Sequence, residues 1–177
     1  MLPATRCPPD GLGVTLPMGR DSVQANGSQT RTFPGRFDSL AAIGEFVSRA
    51  AEAAGLDARA VYSVQMAVDE ACSNIIEHAY GGEGRGNIEC TCRVADDGLT
   101  VVLRDKGRFF DPTSVPTPDL QANLEDRTGG GLGLYFMRQL MDEVHFEFTP
   151  GSGNLLTMVK HKGGARVAQD KKRPSPG

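Results

Sequence analysis

The chain has 177 residues, of which 39% are hydrophobic and 23% are charged, and its formal net charge is −3. This length suits one folded domain with a core of ordinary size, and the slightly acidic balance gives no reason to expect a nucleic-acid partner. No apolar run approaches the roughly 20 residues of a membrane span, and the N-terminus lacks the order of a signal peptide. We therefore expect a cytoplasmic protein without a membrane contact.

The two ends of the chain lack the periodicity of helices or strands. Residues 1–30 mix Pro, Gly, Ser and polar residues, and residues 162–177 form a basic tail that contains Gly and Pro. Such segments bury too little apolar surface to become ordered. We expect two disordered ends around one domain that spans residues 31–161.

Two helices are predicted in the first half of this domain. Asp38 or Ser39 is expected to cap the first helix, and Gly55 to end it. Asp57 is expected to cap a longer second helix, which runs to the glycine cluster that begins at Gly81. The apolar stripes are Leu40, Ile43, Val47, Ala50 and Ala54 in the first helix, and Val61, Val64, Val68, Cys72, Ile75 and Ala79 in the second.

Two β-hairpins and a third helix are predicted in the second half. The first hairpin turns at residues 96–98, a long irregular segment covers about 107–128, and the second hairpin turns at 150–153. The alternating residues are Ile88, Cys90, Cys92 and Val94, then Leu99, Val101 and Leu103, then Val144, Phe146 and Phe148, and finally Leu155, Thr157 and Val159; Leu134, Met137, Leu140 and Met141 form the helical stripe. Because strands outnumber helical crossovers, we predict an α+β two-layer sandwich, with helices on one face of a largely antiparallel mixed sheet.

The four cysteines do not form the pattern of a disulfide framework. Cys90 and Cys92 are two apart in a strand pattern, Cys72 lies in a helical pattern, and Cys7 lies near the N-terminus. A zinc site on Cys90 and Cys92 would need two more ligands at usable spacing, which the sequence does not supply. We expect reduced thiols.

The first candidate functional feature is a polar stripe on the second helix. Glu70, Asn74, Glu77 and His78 fall at i, i+4, i+7 and i+8, which places them on one side of the helix. Such a stripe is compatible with a solvated helix face. Alternatively, the Asn74 oxygen is a ligand for Mg²⁺, and Glu70, one turn earlier, accepts a proton.

The second candidate feature is Asp105, which continues the inward alternation at the end of a strand, just before Gly107. A turn-forming Asp is one interpretation. The other is that the carboxylate binds an adenine amino group, and this contact would also select the base. Phe109 or Phe110 could then stack on the base, or anchor the loop.

The third candidate feature is the glycine-rich run 129–133, which opens a helical pattern. Glycines let backbone amides approach phosphate oxygens at a helix N-terminus. The run lacks the Gly-Lys-Ser/Thr of a Walker A loop and the strand context of a dinucleotide fingerprint. A flexible hinge is the alternative interpretation.

Taken together, these features resemble a known family. The segments that carry the resemblance are Glu70-x-x-x-Asn74-x-x-x-His78-Ala79-Tyr80, Asp105-x-Gly107-x-x-Phe110-Asp111-Pro112 and Gly129-Gly130-Gly131-Leu132-Gly133-Leu134. They resemble the N box and the two glycine boxes of the Bergerat-fold ATPases, which have a histidine-kinase-like ATPase domain. The stretch 135–144 is similar to the anti-sigma-factor serine/threonine kinases of bacterial partner switches, and the resemblance covers residues 33–161.

The resemblance implies a role for each matching residue. Asn74 would coordinate Mg²⁺, Asp105 would bind adenine, Glu70 would be the general base for a protein hydroxyl, and Thr157 would assist near the adenine. The segment 113–128 would be the nucleotide lid. The implied nucleotide-binding residues are Asn74, His78, Asp105, Gly107, Phe110, Gly129, Gly130, Gly131, Leu132, Gly133 and Leu134. Phe109 departs from the wider superfamily, in which many members have a glycine at this position.

The function implied is an ATP- and Mg²⁺-dependent protein serine/threonine kinase. Its expected partners are a sigma factor or another regulator, a small antagonist protein that accepts phosphate, and a second copy in a homodimer. One alternative is a non-catalytic switch, in which ATP and ADP only change partner binding. The catalytic domain of a sensor histidine kinase is less well supported, because the chain has no long helical hairpin with an acceptor histidine.

Overall fold

The computed structural model describes residues 22–24, 27–111 and 132–164, and of residues 22–24 only the backbone. The strands are β1 (Ser22–Gln24), β2 (Ser28–Pro34), β3 (Asn87–Ala95), β4 (Gly98–Asp105), β5 (Glu143–Thr149) and β6 (Gly153–His161), and the helices are α1 (Leu40–Ala53), α2 (Ala58–Asn74) and α3 (Leu132–Leu140). The six strands form one sheet in the order β1-β2-β3-β4-β6-β5. Every pair among these strands is antiparallel, so the described sheet lacks the expected mixed character.

The three helices form a second layer on one face of the sheet, which confirms the predicted α+β sandwich. α1 packs on α2 and on the central strands β3 and β4, and α3 packs on α2. The core between the layers contains the apolar stripes of α1 and α2 and the inward side chains of β3 and β4. Because side chains alternate along a strand, Leu103 and Asp105 of β4 point to this same core.

The helix ends differ from one another in how they are capped. Asp57 caps α2 as predicted, and its side chain accepts a hydrogen bond from the Ala60 amide at 2.8 Å. Gly55 follows α1 with φ = 73°, the left-handed conformation that ends many helices. Ser39, one of the two residues predicted to cap α1, occupies the N-cap position, but its side chain makes no capping bond, because a 3₁₀ turn (Phe37–Ser39) leads directly into the helix.

The predicted second helix changes its winding after Asn74. Residues Ile75–Ala79 form a π-helical turn, which closes with a bond of 2.9 Å from the Tyr80 amide to the Ile75 carbonyl oxygen. A π-helical turn adds one residue to a helical turn and rotates the side chains that follow it. The polar stripe predicted on this helix therefore does not continue straight beyond Asn74.

Two further expectations were wrong. Ordered structure begins before residue 31, because β1 and the first residues of β2 lie upstream of that boundary. On β6 the buried residues are Leu156 and Met158, whereas Thr157 and Val159 belong to the opposite face of the sheet. The expected basic tail begins with a short 3₁₀ turn (Lys162–Gly164), and the rest of the tail lies outside the described residues.

The cysteines that the structure describes are free thiols, as predicted. Cys72, Cys90 and Cys92 are buried in the core, and Cys7 lies outside the described residues. Burial raises the pKa of the Cys72 thiol far above its usual value, so this side chain behaves as a small apolar group. None of the described helices has the length and apolar character that crossing a membrane requires.

Candidate functional site

A cavity of about 190 Å³ opens where α2, the end of β4 and the β5–β6 hairpin meet. Its walls are formed by Ala71, Asn74, Ile75, His78, Ala79, Asp105, Arg108, Phe109, Phe110, Met137, Phe146, Glu147, Asn154, Leu155 and Leu156. Most of these side chains are apolar, and a few polar groups converge on the same space. This combination is typical of a small-molecule site.

Asp105 is the buried polar group of this cavity, with only 4% of its surface exposed. Its Oδ1 atom accepts hydrogen bonds from the Gly107 amide at 2.8 Å and from the Asn154 side-chain Nδ2 at 2.9 Å. Burial raises the pKa of Asp105, and these two hydrogen bonds oppose the increase. Because both donors bind Oδ1, the carboxylate has a fixed orientation in the cavity wall.

Asn154 is a site residue that the sequence analysis missed. It lies opposite Asp105 in the register of β4 and β6. Besides its bond to Asp105, its Nδ2 donates to the Arg108 carbonyl oxygen at 2.9 Å, and its Oδ1 accepts from the Phe110 amide at 3.3 Å. One side chain therefore orients the carboxylate and holds the loop that follows it. A polar residue directly after a predicted turn, opposite the strand-end Asp, was the available signal.

Two glycines allow the backbone to approach closely around Asp105. A Cβ atom on Gly107 would lie 2.6 Å from the Ala79 Cβ atom, and the next amide, that of Arg108, donates to the Ala79 carbonyl oxygen at 2.8 Å. Gly153 has φ = 91°, and a Cβ atom there would lie 2.0 Å from the Asp105 carbonyl oxygen. The Asp-x-Gly loop is thus packed against the π-helical turn on one side and β6 on the other.

Two aromatic pairs connect the loop after β4 to β5. The ring centroids of Phe109 and Phe148 are 4.8 Å apart, and those of Phe110 and Phe146 are 5.6 Å apart. Phe109 and Phe148 are exposed, while Phe110 and Phe146 are partly buried. Both predicted aromatic residues line the cavity, so either can contact an apolar ligand face.

Glu70, Asn74 and Gly133 meet where α2 passes the first turn of α3. Asn74 Nδ2 donates to Glu70 Oε1 at 3.0 Å. A Cβ atom on Gly133 would lie 1.7 Å from this same Oε1 atom, so only glycine leaves room for the carboxylate as it is placed. Since Asn74 donates through its nitrogen, its Oδ1 is the atom that can bind a cation. Among the described residues, no group of three or more His, Cys, Asp or Glu side chains could hold a metal.

The other predicted site residues divide into three groups. His78 lines the cavity with an exposed imidazole, and Leu132, Gly133 and Leu134 form the start of α3 as the structure describes it. Gly129, Gly130, Gly131 and the expected lid 113–128 lie outside the described residues. Thr157 does not line the cavity, because it lies opposite Val102 on the other face of the sheet.

Comparisons with known proteins agree with this fold. A family model described as the histidine kinase-like ATPase domain matches residues 33–160. The chain is 35% identical over 113 residues to the serine-protein kinase RsbW of Bacillus velezensis, an alignment that covers 60% of this chain and 68% of that protein. It is 37% identical over 116 residues to RsbW of Bacillus pumilus, covering 62% and 70% of the two chains. It is 32% identical over 104 residues to the serine/threonine-protein kinase BtrW of Bordetella bronchiseptica, covering 59% and 72% of the two chains.

The family predicted from the three motifs is therefore confirmed, and the chain belongs to the histidine kinase-like ATPase family, in the group that contains these serine-protein kinases.

Proposed function

We propose that the chain is an ATP-dependent serine/threonine protein kinase that phosphorylates a small antagonist protein in a bacterial partner switch. The observation that carries the proposal is the position of Glu70, whose carboxylate is bound by Asn74 and lies against the first turn of α3. Asn74 also lines the cavity that contains Asp105, so a proton acceptor lies one helical turn from a residue of the cavity wall. The family match and the kinase names of the relatives support the same reaction.

In this proposal the adenine amino group donates to Asp105. Because Asn154 and Gly107 occupy Oδ1, the acceptor for the base is Oδ2. A base with a carbonyl in place of the amino group would place its oxygen against Asp105 Oδ2, with no proton between these two acceptors. The site therefore favours adenine. The glycine run 129–133 would hold the phosphates at the N-terminus of α3, and the segment 113–128 would close over them.

Phosphoryl transfer then depends on Asn74 and Glu70. Asn74 Oδ1 would hold Mg²⁺, which prefers oxygen ligands and, when bound, neutralises charge on the phosphates. Glu70 accepts the proton of the incoming serine or threonine hydroxyl. The hydroxyl oxygen forms the new bond to the γ-phosphorus while the bond from that phosphorus to the β–γ bridging oxygen breaks, and the products are the phosphoprotein and ADP.

The proposed partners are a sigma factor or another regulator and the antagonist that accepts phosphate. Binding of nucleotide and of the antagonist would thereby determine whether the chain binds the regulator. A homodimer remains a further prediction from the kinase group.

The proposal is tested by replacing Glu70 with glutamine, which keeps an acceptor for Asn74 but cannot take a proton. We expect Glu70→Gln to bind ADP with Mg²⁺ as the wild type does, while transfer from γ-labelled ATP to purified antagonist proteins falls by about 10²- to 10⁴-fold. Asp69→Asn is the matched control, because Asp69 is the exposed neighbouring carboxylate on α2 and should keep wild-type transfer.

Two results would contradict the proposal. Wild-type transfer by Glu70→Gln would remove Glu70 from the mechanism. A wild-type protein that binds ADP and an antagonist but labels no protein would instead be the non-catalytic nucleotide-dependent switch.

A further inference from the structure

Exposed apolar side chains are concentrated on α2 and α3. Seven large apolar side chains of the described residues are exposed, and four of them lie on these two helices; α2 contains Glu70, and α3 lies against it. The four are Tyr62, Met66, Leu132 and Phe136. Such a concentration marks a contact surface for another protein more often than scattered exposure does.

On α2 the exposed apolar residues lie in line with Glu70. Tyr62, Met66 and Glu70 are four residues apart, so their side chains lie on the same side of the helix. Tyr62 is 60% exposed and Met66 is 41% exposed. At 1.5 Å of rise per residue, Met66 lies about 6 Å and Tyr62 about 12 Å along the helix axis from Glu70.

α3 runs antiparallel beside this line and adds Phe136 to it. At one end Gly133 lies against Glu70, and at the other end Leu140 lines the same groove as Tyr62. Phe136 follows Gly133 by three residues, nearly one turn, and therefore lies on the flank of α3 that is level with Met66; it is 48% exposed. We call Tyr62, Met66 and Phe136 the acceptor strip.

The acceptor strip is not needed to build the core. α2 packs into the core through another side of the helix. The buried residues of that side are Val64, Ala67, Val68, Ala71 and Cys72. Tyr62 and Met66 lie on the far side of the helix from this set. Truncating them should therefore remove contact surface without opening a cavity in the fold.

We infer that the acceptor strip is the docking surface for the protein whose hydroxyl reaches Glu70. The inference rests on the proposed function, since a protein hydroxyl at Glu70 brings the surface around that hydroxyl onto the neighbouring helices. The strip is the exposed apolar surface that extends from Glu70 along both helices. Aromatic and methionine side chains of this kind are enriched in protein interfaces.

The geometry also describes the partner. In the proposed function it is a small antagonist protein, and docking on the strip requires a serine or threonine at one end of an apolar patch of that protein. Its apolar side chains lie about 6 to 12 Å from that hydroxyl, matching the distances of Met66 and Tyr62 from Glu70. A second copy of the chain or a segment of the chain itself are the competing occupants.

The experiment uses the full chain and the antagonist that the wild type phosphorylates. The double variant Tyr62→Ala/Met66→Ala should raise the KM for that antagonist by at least about tenfold, because buried interface anchors contribute most of the binding energy. The value of kcat at saturating antagonist and the affinity for ADP should stay at wild-type values. Phe136→Ala should raise the same KM. Phe37→Ala is the matched control, since Phe37 is an exposed aromatic residue outside α2 and α3 and should have no effect.

The possible failures are distinguishable. If wild-type protein labels its antagonist and the double variant has an unchanged KM, the acceptor strip is not the docking surface while the proposed function stands. If wild-type protein labels no protein at all, both the proposed function and the inference are overturned. If the double variant changes sedimentation of the chain alone and not the KM, the occupant is a second copy and the inference is wrong.

Discussion

Asp105 is a buried carboxylate whose charge opposes folding, and the proposed function uses the same carboxylate to bind the base. Burial raises the pKa of Asp105 above its value in the unfolded chain, so over the intervening pH range the folded state holds a proton that the unfolded state has lost. The protonated side chain therefore stabilises the fold at acid pH, and this contribution is lost as the pH rises through the raised pKa. At neutral pH the unliganded protein therefore contains a charged carboxylate whose burial destabilises the fold.

Asp105→Asn should therefore stabilise the unliganded protein and strongly weaken nucleotide binding. Its amide oxygen would keep the two bonds from Asn154 and Gly107, which leaves its NH₂ group pointing at the position that we propose for the adenine amino group. We expect ADP affinity to fall at least about a hundredfold, because two donors then face each other. We also expect the free energy of unfolding, from urea titrations, to exceed that of the wild type at neutral pH, with the difference shrinking towards acid pH.

A control substitution at an exposed carboxylate separates the effect of removing a buried charge from the effect of removing any negative charge. Asp97→Asn removes an exposed carboxylate from the β3–β4 turn and should change neither property. An Asp105→Asn protein that binds ADP normally, or that is less stable than wild type at neutral pH, would contradict the account of this residue.

At the scale of elements, the contact between α2 and α3 depends on the absence of a side chain at Gly133. Gly133→Ala would place a methyl group where the Glu70 carboxylate lies, so the Glu70 side chain would have to adopt another rotamer. Because alanine is favoured over glycine in helices by up to about 1 kcal/mol, the melting temperature should not fall. Transfer to the antagonist should fall at least about tenfold, because misplacing a catalytic group by an ångström has a large effect on rate.

The control for this substitution is Gly44→Ala, which adds a methyl group to buried α1. There the new Cβ atom would lie 3.3 Å from the Gln65 side-chain nitrogen, which is a flexible neighbour. Gly44→Ala should keep wild-type transfer. Full transfer by Gly133→Ala would show that Glu70 does not need the position it has in this structure.

The elements also show where the sequence was informative. The alternation of β4 correctly predicted that Asp105 lies on the core side, because Leu99, Val101 and Leu103 recur at every second position and Asp105 continues this spacing. The residues of β6 from Leu155 to Val159 are almost all apolar, so periodicity could not identify the buried face. That face is fixed by pairing with β4, which places Asn154 beside Asp105 and Thr157 on the other side. A π-helical turn has no signature in apolar spacing, and the predicted helix could not reveal it.

At the scale of the whole molecule, the sheet has one face under helices and one without them in the described residues. Adjacent residues of β4 test this arrangement. Leu103→Ala should lower the free energy of unfolding by about 2–5 kcal/mol, because it empties part of the core. Val102→Ala, on the opposite face, should lower it by about 1 kcal/mol or less. Equal losses in urea titrations would mean that the outer face is covered too.

The architecture as a whole was predictable because most elements have strong local patterns. β1 and β2 were not, since β2 contains Ser28, Thr30, Arg31 and Thr32 and buries fully only Phe33. Its strand character comes from pairing along the length of β3, a non-local interaction that no short window of sequence contains. The same reason explains why Asn154 was missed, while residues that lie close together in a motif were found.

The strand order has a consequence for how the protein is made. β6 is the last strand among the described residues, yet it lies between β4 and β5 and supplies Asn154, which donates to Asp105. During synthesis the first four strands and two helices can leave the ribosome before the cavity is complete, because the β5–β6 hairpin forms one side of it. A nascent chain would consequently acquire its ligand only after translation of nearly all of the domain, and nucleotide would then hold in place the segment that was added last.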